Sequence, residues 1–370
     1  MTPFPVRYRF IDALRGLALC GILFVNLRDL LHERIGVDQF GHPVVEFYEV
    51  AIQGRFVPIF AFLFGVSAWL LYSSTNRRLP TTSARWLMVR RFATLLPIGL
   101  VNMLFLYSGD ILAKYSVFAL VLLVPALFLP RGPVLATGVL LTLAFYWLWG
   151  NTPPIAASLM LAGYGAAQYG LPAWLESRRP VDRSLAWSVF GLSAVAGAML
   201  MVGQLRLVQA GADADPTMLD RVGGFAGLFL AIAVVTGMSL AWRRYGGPVE
   251  RVFSPLGRTA LTNYLGASLL VVVLLHALPD AQVSTPWLLP VVTLVILAVQ
   301  WAVSTVWLAY FRFGPVEWLW RCATRAELVP LRAAGAHRAG RGRPGRSDAG
   351  RGGPRAAARL SERDLQHLAE

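Results

Sequence analysis

Polar side chains recur inside the first long apolar segment of the chain, residues 10–30. Within it lie Asp12, Arg15, Asn26 and Asp29, at offsets of three, eleven and three residues. These offsets place all four on one side of a helix. Ionisable groups are costly inside a membrane and mark functional sites by default, so this face is predicted to point into a bundle. The structural alternative is a neutralising Asp12–Arg15 pair, with Asn26 hydrogen-bonded between helices.

Two histidines, His32 and His42, follow this segment, and Glu46 and Glu49 lie downstream of them. The ordinary pKa of histidine suits proton transfer near neutral pH, and a carboxylate can orient the imidazole ring. His42 is therefore the first candidate for a catalytic base and His32 the second. The alternative for each is a solvated histidine in a loop.

Further candidates for substrate or cofactor binding lie at the ends of predicted helices. Arg55 can neutralise a bound anion or extend its side chain to the membrane interface. Asp110 can bind a ligand or cap the helix that follows it. Guanidinium groups suit phosphate, and the candidates for that role are Arg15, Arg90, Arg91 and Arg258, with Asn263 near Arg258.

These residues are predicted to be positioned by membrane-spanning helices. Hydrophobic residues make up 56% of the 370-residue chain and charged residues 15%. A helix needs about 20 apolar residues to cross a hydrocarbon core of about 30 Å, and the segments lack the alternation of a barrel strand. The predicted fold is an all-α polytopic membrane protein of about ten helices, near residues 10–30, 55–75, 92–108, 112–130, 133–149, 155–175, 185–205, 223–242, 259–278 and 286–311.

Arginine falls mainly in alternate loops, which predicts the orientation of the chain. One set of loops carries most of the arginines, for example Arg77, Arg78 and Arg131, and the intervening set carries most of the acidic residues. By the positive-inside rule both termini are cytoplasmic, which requires an even number of spans. The first apolar segment contains Arg15 and Asn26 and lacks a small-residue cleavage site, so we expect a retained helix rather than a signal peptide.

The chain is predicted to divide into a helical bundle, residues 1–324, and a basic cytoplasmic tail, residues 325–370. The tail holds ten arginines and five acidic residues and is rich in glycine, a composition typical of disorder. Just before it, Gly314-Pro315 predicts a helix break followed by a short amphipathic helix. We expect the lipid bilayer as partner and no specific nucleic acid. No metal-binding motif is present, and a homo-oligomer is left open.

Five motifs, in this order, resemble those of the YeiB-like family of bacterial integral membrane proteins, a domain family of unknown function. The resemblance implies a multi-pass protein of the bacterial cytoplasmic membrane. The motifs are Asp-x-x-Arg-Gly-x-x-Leu-x-Gly-Ile-x-x-x-Asn over residues 12–26, Pro-Ile-Phe-Ala-Phe-Leu-Phe-Gly over 58–65, Gly-Asp-Ile-Leu-x-x-Tyr over 109–115, Gly-Arg-Thr-Ala-Leu-Thr-Asn-Tyr over 257–264 and Gly-Pro-Val-Glu-Trp-Leu-Trp-Arg over 314–321.

The N-terminal half of that family is similar to a wider superfamily of transmembrane acyltransferases. Its members take acyl-CoA from one side of the membrane and acylate a hydroxyl or amine on the other. The resemblance implies acyl-CoA as co-substrate and an extracytoplasmic sugar or small-molecule acceptor. His42 lies about where the catalytic histidine of the superfamily falls. Two other hypotheses remain, a transporter or exporter of a small molecule and a non-catalytic membrane assembly protein.

Overall fold

The computed structural model describes residues 8–35, 52, 54–150, 153–210, 215–277 and 288–332. Helices dominate this part of the chain, as the composition predicts. In chain order they are α1 (Arg9–Ile35), α2 (Phe56–Asn76), α3 (Thr81–Phe105), α4 (Leu112–Ala126), α5 (Arg131–Trp149), α6 (Pro153–Gln168), α7 (Leu171–Glu176), α8 (Pro180–Ala210), α9 (Pro216–Arg258), α10 (Ala260–Ala277), α11 (Leu288–Tyr310) and α12 (Pro315–Arg325).

The all-α polytopic membrane class is confirmed. Among the described residues, seven helices are long and apolar enough to cross a membrane, namely α1, α2, α3, α5, α8, α9 and α11. The apolar helix α4 and the stretch Ala260–Val273 of α10 are shorter. Each of the ten predicted segments coincides with helix in the structure. The number of crossings and the side of each terminus stay predictions.

Several helices differ in extent from their predicted segments. The largest difference is in α9, which runs from Pro216 to Arg258, whereas the predicted segment was 223–242. α3 begins at Thr81, after the extended residue Pro80, and not at residue 92. Hydropathy excluded its arginine-bearing first turns, although arginine favours helix. The predicted segment 155–175 is divided at Gly170, whose φ of 85° is left-handed and ends α6.

Glycines let the central helices touch through their backbones. A Cβ added at Gly257 of α9 would lie 1.8 Å from the carbonyl oxygen of Asp12 in α1, and one at Gly16 would lie 2.0 Å from that of Phe253. Small residues at such crossings are how membrane helices approach closely, because lipid provides no hydrophobic drive for their association. The crossing fixes the polar end of α1 against α9.

Helix α12 packs against the middle of α3 and the start of α10. The carboxylate of Glu317 accepts hydrogen bonds from the backbone N–H groups of Leu261 and Thr262, at 2.6 and 3.1 Å, and so caps the start of α10. On its other side, Trp320 donates from Nε1 to the carbonyl of Arg91 in α3 at 2.9 Å.

The bundle was predicted to end at residue 324, but residues after this boundary also contact the helices. Trp318 donates from Nε1 to the carbonyl of Val329 at 2.7 Å, and Phe311 pairs with Arg332 in an isolated bridge. The rest of the predicted tail, from residue 333, lies outside the described residues.

Candidate functional site

Arg15 lies where α1 meets α2 and α9. Its Nη1 is 3.3 Å from a carboxylate oxygen of Asp12, and its Nη2 donates to the hydroxyl of Ser67 at 2.7 Å. Nη1 also approaches the carbonyl of Gly257 at 3.4 Å. The side chains of Arg15 and Asp12 are 26% and 16% exposed. This end of the polar face of α1 therefore points into the bundle.

Arg91 lies against α12 and close to Arg15. Its guanidinium carbon is 3.6 Å from the centre of the Trp320 ring, a cation–π contact. Arg15, Arg321 and Arg325 all lie near enough to Arg91 to interact with it electrostatically. The structure thus joins two predicted phosphate-binding candidates, Arg15 and Arg91, to two arginines that sequence reasoning missed. We call these four residues the arginine cluster.

Arg321 and Arg325 stand four residues apart on α12 and so lie on the same face of it. The guanidinium carbon of Arg321 is 4.2 Å from the centre of the Phe313 ring. Burial, followed by the positive charge of Arg325, lowers the pKa of Arg321, and the nearby carboxylate of Glu317 opposes that shift. The signal available in the sequence was this spacing of arginines within the predicted amphipathic helix.

The other two predicted phosphate-binding arginines are placed differently. Arg258 donates from Nη2 to the carbonyl of Arg312 at 3.5 Å. Arg90 is half-buried on α3, and successive residues of a helix point in directions about 100° apart.

A narrow cavity lies farther along α1, between α1, α10 and α11. Its free space is about 10 Å³, which is room for about one water molecule. Asn26 contributes a polar side chain from α1, and Asn263, Tyr264 and Gln300 contribute others from α10 and α11. The polar face of α1 therefore runs from the arginine cluster to this cavity.

Asn263 belongs to a hydrogen-bond network between α10 and α11. Its amide nitrogen donates to the hydroxyls of Thr259 and Ser304, at 2.9 and 3.0 Å, and Gln300 donates to its backbone carbonyl oxygen at 2.8 Å. Such polar contacts hold membrane helices together. This places Asn263 in the cavity wall and in the helix interface.

Asp110 is fully buried and accepts four hydrogen bonds. Two come from the backbone N–H groups of Leu112 and Ala113, at 3.1 and 3.2 Å. The others come from Asn102 at 2.9 Å and from the hydroxyl of Tyr264 at 2.7 Å. A carboxylate with this many donors is well compensated for burial, which fits the capping alternative.

The remaining predicted residues lie toward the same ends of the helices as the cavity. Tyr107 donates to a carboxylate oxygen of Asp29 at 3.3 Å. Arg55 is only 4% exposed and lies near Tyr146. Tyr115 and Tyr146 are also buried, and neither hydroxyl has a hydrogen-bond partner among the residues that the structure describes.

The structure does not describe the side chain of either histidine candidate. His42 lies outside the described residues, and only the backbone of His32 is described, in α1. Among the described residues, no group of three or more histidine, cysteine or acidic side chains is arranged to hold a metal ion.

Comparison with known proteins places the chain among bacterial proteins of similar length. A family model described as "Protein of unknown function (DUF418)" matches residues 166–327. The chain is 30% identical to an "Uncharacterized 39.9 kDa protein in amylase 3'region" of Bacillus acidopullulyticus, over 87% of this chain and 94% of that protein. It is 26% identical to YxaH of Bacillus subtilis and 24% identical to YeiB of Escherichia coli, each over 88% of this chain and 96% of the relative.

Proposed function

Since the chain belongs to the DUF418 family, with YeiB and YxaH among its relatives, we propose that it is a membrane acyltransferase. It moves an acyl group from cytoplasmic acyl-CoA to a sugar or small-molecule acceptor on the far side of the cytoplasmic membrane. The observation that carries the proposal is the polar face of α1, which connects the arginine cluster with a polar cavity. A donor with phosphates at one end and a reactive thioester at the other matches that arrangement.

The dimensions of α1 support this division of roles. Arg15 and Asn26 are eleven residues apart in one helix, which corresponds to about 16 Å along its axis. That is about half of a hydrocarbon core of ~30 Å. The long, flexible pantetheine arm of CoA extends from its phosphates to the thioester. Phosphates held at Arg15 and Arg91 thus leave the thioester free to reach the cavity beside Asn26.

The chemistry requires a base and a hydrogen-bond donor. His42, with His32 as the reserve, removes the proton from the acceptor hydroxyl, whose oxygen attacks the thioester carbonyl carbon. The carbon–sulfur bond then breaks, and the CoA thiolate leaves and takes up a proton. Asn26 is the proposed donor to the oxyanion, because its side chain lines the cavity.

The test is acyl transfer by the purified full chain from radiolabelled acetyl-CoA to candidate glycans, with hydrolysis of acetyl-CoA measured in parallel. His42→Ala and His32→Ala are compared in this assay, and folding is checked by size-exclusion chromatography. Removal of a general base costs about 10²–10⁴-fold in rate. If neither variant loses at least about tenfold, the histidine mechanism is wrong.

The same polar face favours a second candidate function, transport of a small molecule. In that case Asp12, Arg15, Asn26 and Asp29 line a path instead of holding reactants. The two functions differ in their response to CoA. A transporter shows solute flux in proteoliposomes without acetyl-CoA, whereas an acyltransferase consumes acetyl-CoA in stoichiometric proportion to the acylated product.

A further inference from the structure

We propose that Arg91, Arg321 and Arg325 form a binding site for a doubly charged phosphate monoester, with α12 as its recognition element. Coenzyme A carries such a group at its 3′ position, and so do some lipid headgroups. The inference deepens the proposed function and rests on it only for the choice of CoA as first ligand. The role of α12 in the site comes from the geometry of its contacts with α3.

Aromatic rings hold two of the guanidinium groups. The guanidinium carbon of Arg91 lies 3.6 Å from the centre of the Trp320 ring, and that of Arg321 lies 4.2 Å from the centre of the Phe313 ring. A guanidinium stacked on a ring has its N–H donors in its own plane, parallel to the ring, so they point sideways and can bind phosphate oxygens. Both arginines are half-buried, so these donors remain within reach of a ligand.

The arginines of the site outnumber their acidic partners. In the described part of the chain, neither Arg91 nor Arg321 forms an ion pair within 4.0 Å or donates a side-chain hydrogen bond. Arg325 has a partner in Glu327 at 3.8 Å, but both side chains are about half exposed or more. Exposed pairs of this kind contribute little. Glu317 also lies near Arg321, so the three arginines face two carboxylates and keep a net positive charge, which attracts an anionic ligand.

The site is held in place by hydrogen bonds before any ligand binds. The donation from Trp320 to the carbonyl of Arg91, at 2.9 Å, fixes α12 on α3. The hydroxyls of Thr94 and Thr324 share a further hydrogen bond of 3.1 Å one turn away. Glu317 anchors the other end of α12 on α10. Because the guanidinium groups are already positioned, ligand binding costs little ordering entropy.

The experiment measures affinity with the purified full chain in neutral detergent, by titration calorimetry. CoA is compared with dephospho-CoA, which lacks the 3′ monoester, and with 3′,5′-adenosine bisphosphate, which lacks the pantetheine arm. Arg321→Gln and Arg325→Gln are the test variants. Arg131→Gln is the matched control, since Arg131 is an exposed arginine that also lies near a ring, 5.1 Å from the centre of Tyr169.

We expect CoA to bind at least about tenfold more tightly than dephospho-CoA, and this preference to be lost in Arg321→Gln but kept in Arg131→Gln. A parallel arm uses vesicles of phosphatidylcholine with either phosphatidic acid, a monoester, or phosphatidylglycerol, a diester. Arginine-dependent preference for phosphatidic acid, without binding of CoA, assigns the site to a lipid headgroup.

The inference is overturned if no monoester is preferred over its diester or dephosphorylated counterpart in either arm. It is also overturned if Arg321→Gln and Arg325→Gln behave like Arg131→Gln. The proposed function can fail independently of this inference. If CoA binds tightly but no acyl group is transferred, the acyltransferase proposal is wrong and the phosphate site is still supported.

Discussion

The hydroxyl of Tyr264 donates a hydrogen bond of 2.7 Å to the buried carboxylate of Asp110, across 154 positions of sequence. Asp110 also caps α4 through the backbone N–H groups of Leu112 and Ala113. One buried carboxylate therefore joins the start of α4 to α10. It also brings together two of the motifs noted in the sequence, Gly-Asp-Ile-Leu and Thr-Asn-Tyr.

A double-mutant cycle should detect this contact. Asp110→Asn and Tyr264→Phe should each lower the free energy of unfolding, because a buried donor or acceptor loses its partner at a cost of about 1–3 kcal/mol. The double variant should lose less than the sum of the two, with a coupling of about 1 kcal/mol or more. Thermal unfolding in detergent measures these effects.

The control for this cycle is Asp215→Asn. Asp215 caps α9 through Thr217 in an exposed position, and asparagine is an equivalent N-cap residue, so stability should hardly change. Additive effects of Asp110→Asn and Tyr264→Phe would contradict the contact.

Glu317 should make stability depend on pH. Burial raises the pKa of Glu317 above its ordinary value of 4.5, although hydrogen bonds from Thr262 and Leu261 oppose the shift. The native protein then binds this proton more tightly than the unfolded chain does. The contribution of Glu317 to native stability is therefore full below pH 4.5 and is lost as pH rises through the raised pKa.

Glu317→Gln should remove this component, since an amide does not titrate. The difference in melting temperature between the original protein and Glu317→Gln should change as pH increases above 4.5. Glu327→Gln, at an exposed glutamate after α12, is the matched control for removal of a carboxylate in this part of the chain. A pH-independent difference for Glu317→Gln would show that its pKa is not raised.

The sequence was sufficient to identify the all-α polytopic class, because long apolar segments and Gly or Pro boundaries are local signals. It also gave the capping alternative for Asp110, whose position at a helix start is local too. It missed Arg321 and Arg325 as neighbours of Arg91, and Glu317 as the cap of α10. These contacts join residues more than 50 positions apart, and no periodicity of a single helix encodes which other helix lies beside it.

Gly257→Ala should destabilise the protein strongly. The new Cβ would lie 1.8 Å from the backbone oxygen of Asp12, and neither helix can give way by rotating a side chain. Overpacking of this kind costs about 1–3 kcal/mol. Gly266→Ala in α10 is the control, because nothing lies within 4 Å of its added Cβ and alanine favours helix.

Unfolding midpoints of the two glycine variants should therefore move in different ways. We expect a clear decrease for Gly257→Ala and no change or a small increase for Gly266→Ala. Equal shifts would mean that α1 and α9 do not cross through their backbones at this point.

Ten crossings with both termini cytoplasmic predict the side of each loop. Reporter fusions at Gly150, between α5 and α6, and at Gly247, within the arginine-bearing end of α9, should give opposite signals. Gly150 should report the outside and Gly247 the cytoplasm. The same signal from both fusions would overturn the predicted topology.

The cap that Glu317 places on α10 has a consequence for communication across the protein. Leu261 and Thr262 receive the cap, and the next two residues, Asn263 and Tyr264, line the cavity. Only a ligand that displaces α12 would therefore move that wall. For such a ligand, occupancy of the arginine cluster and occupancy of the cavity would be thermodynamically linked, and each ligand would alter the affinity for the other by the same factor.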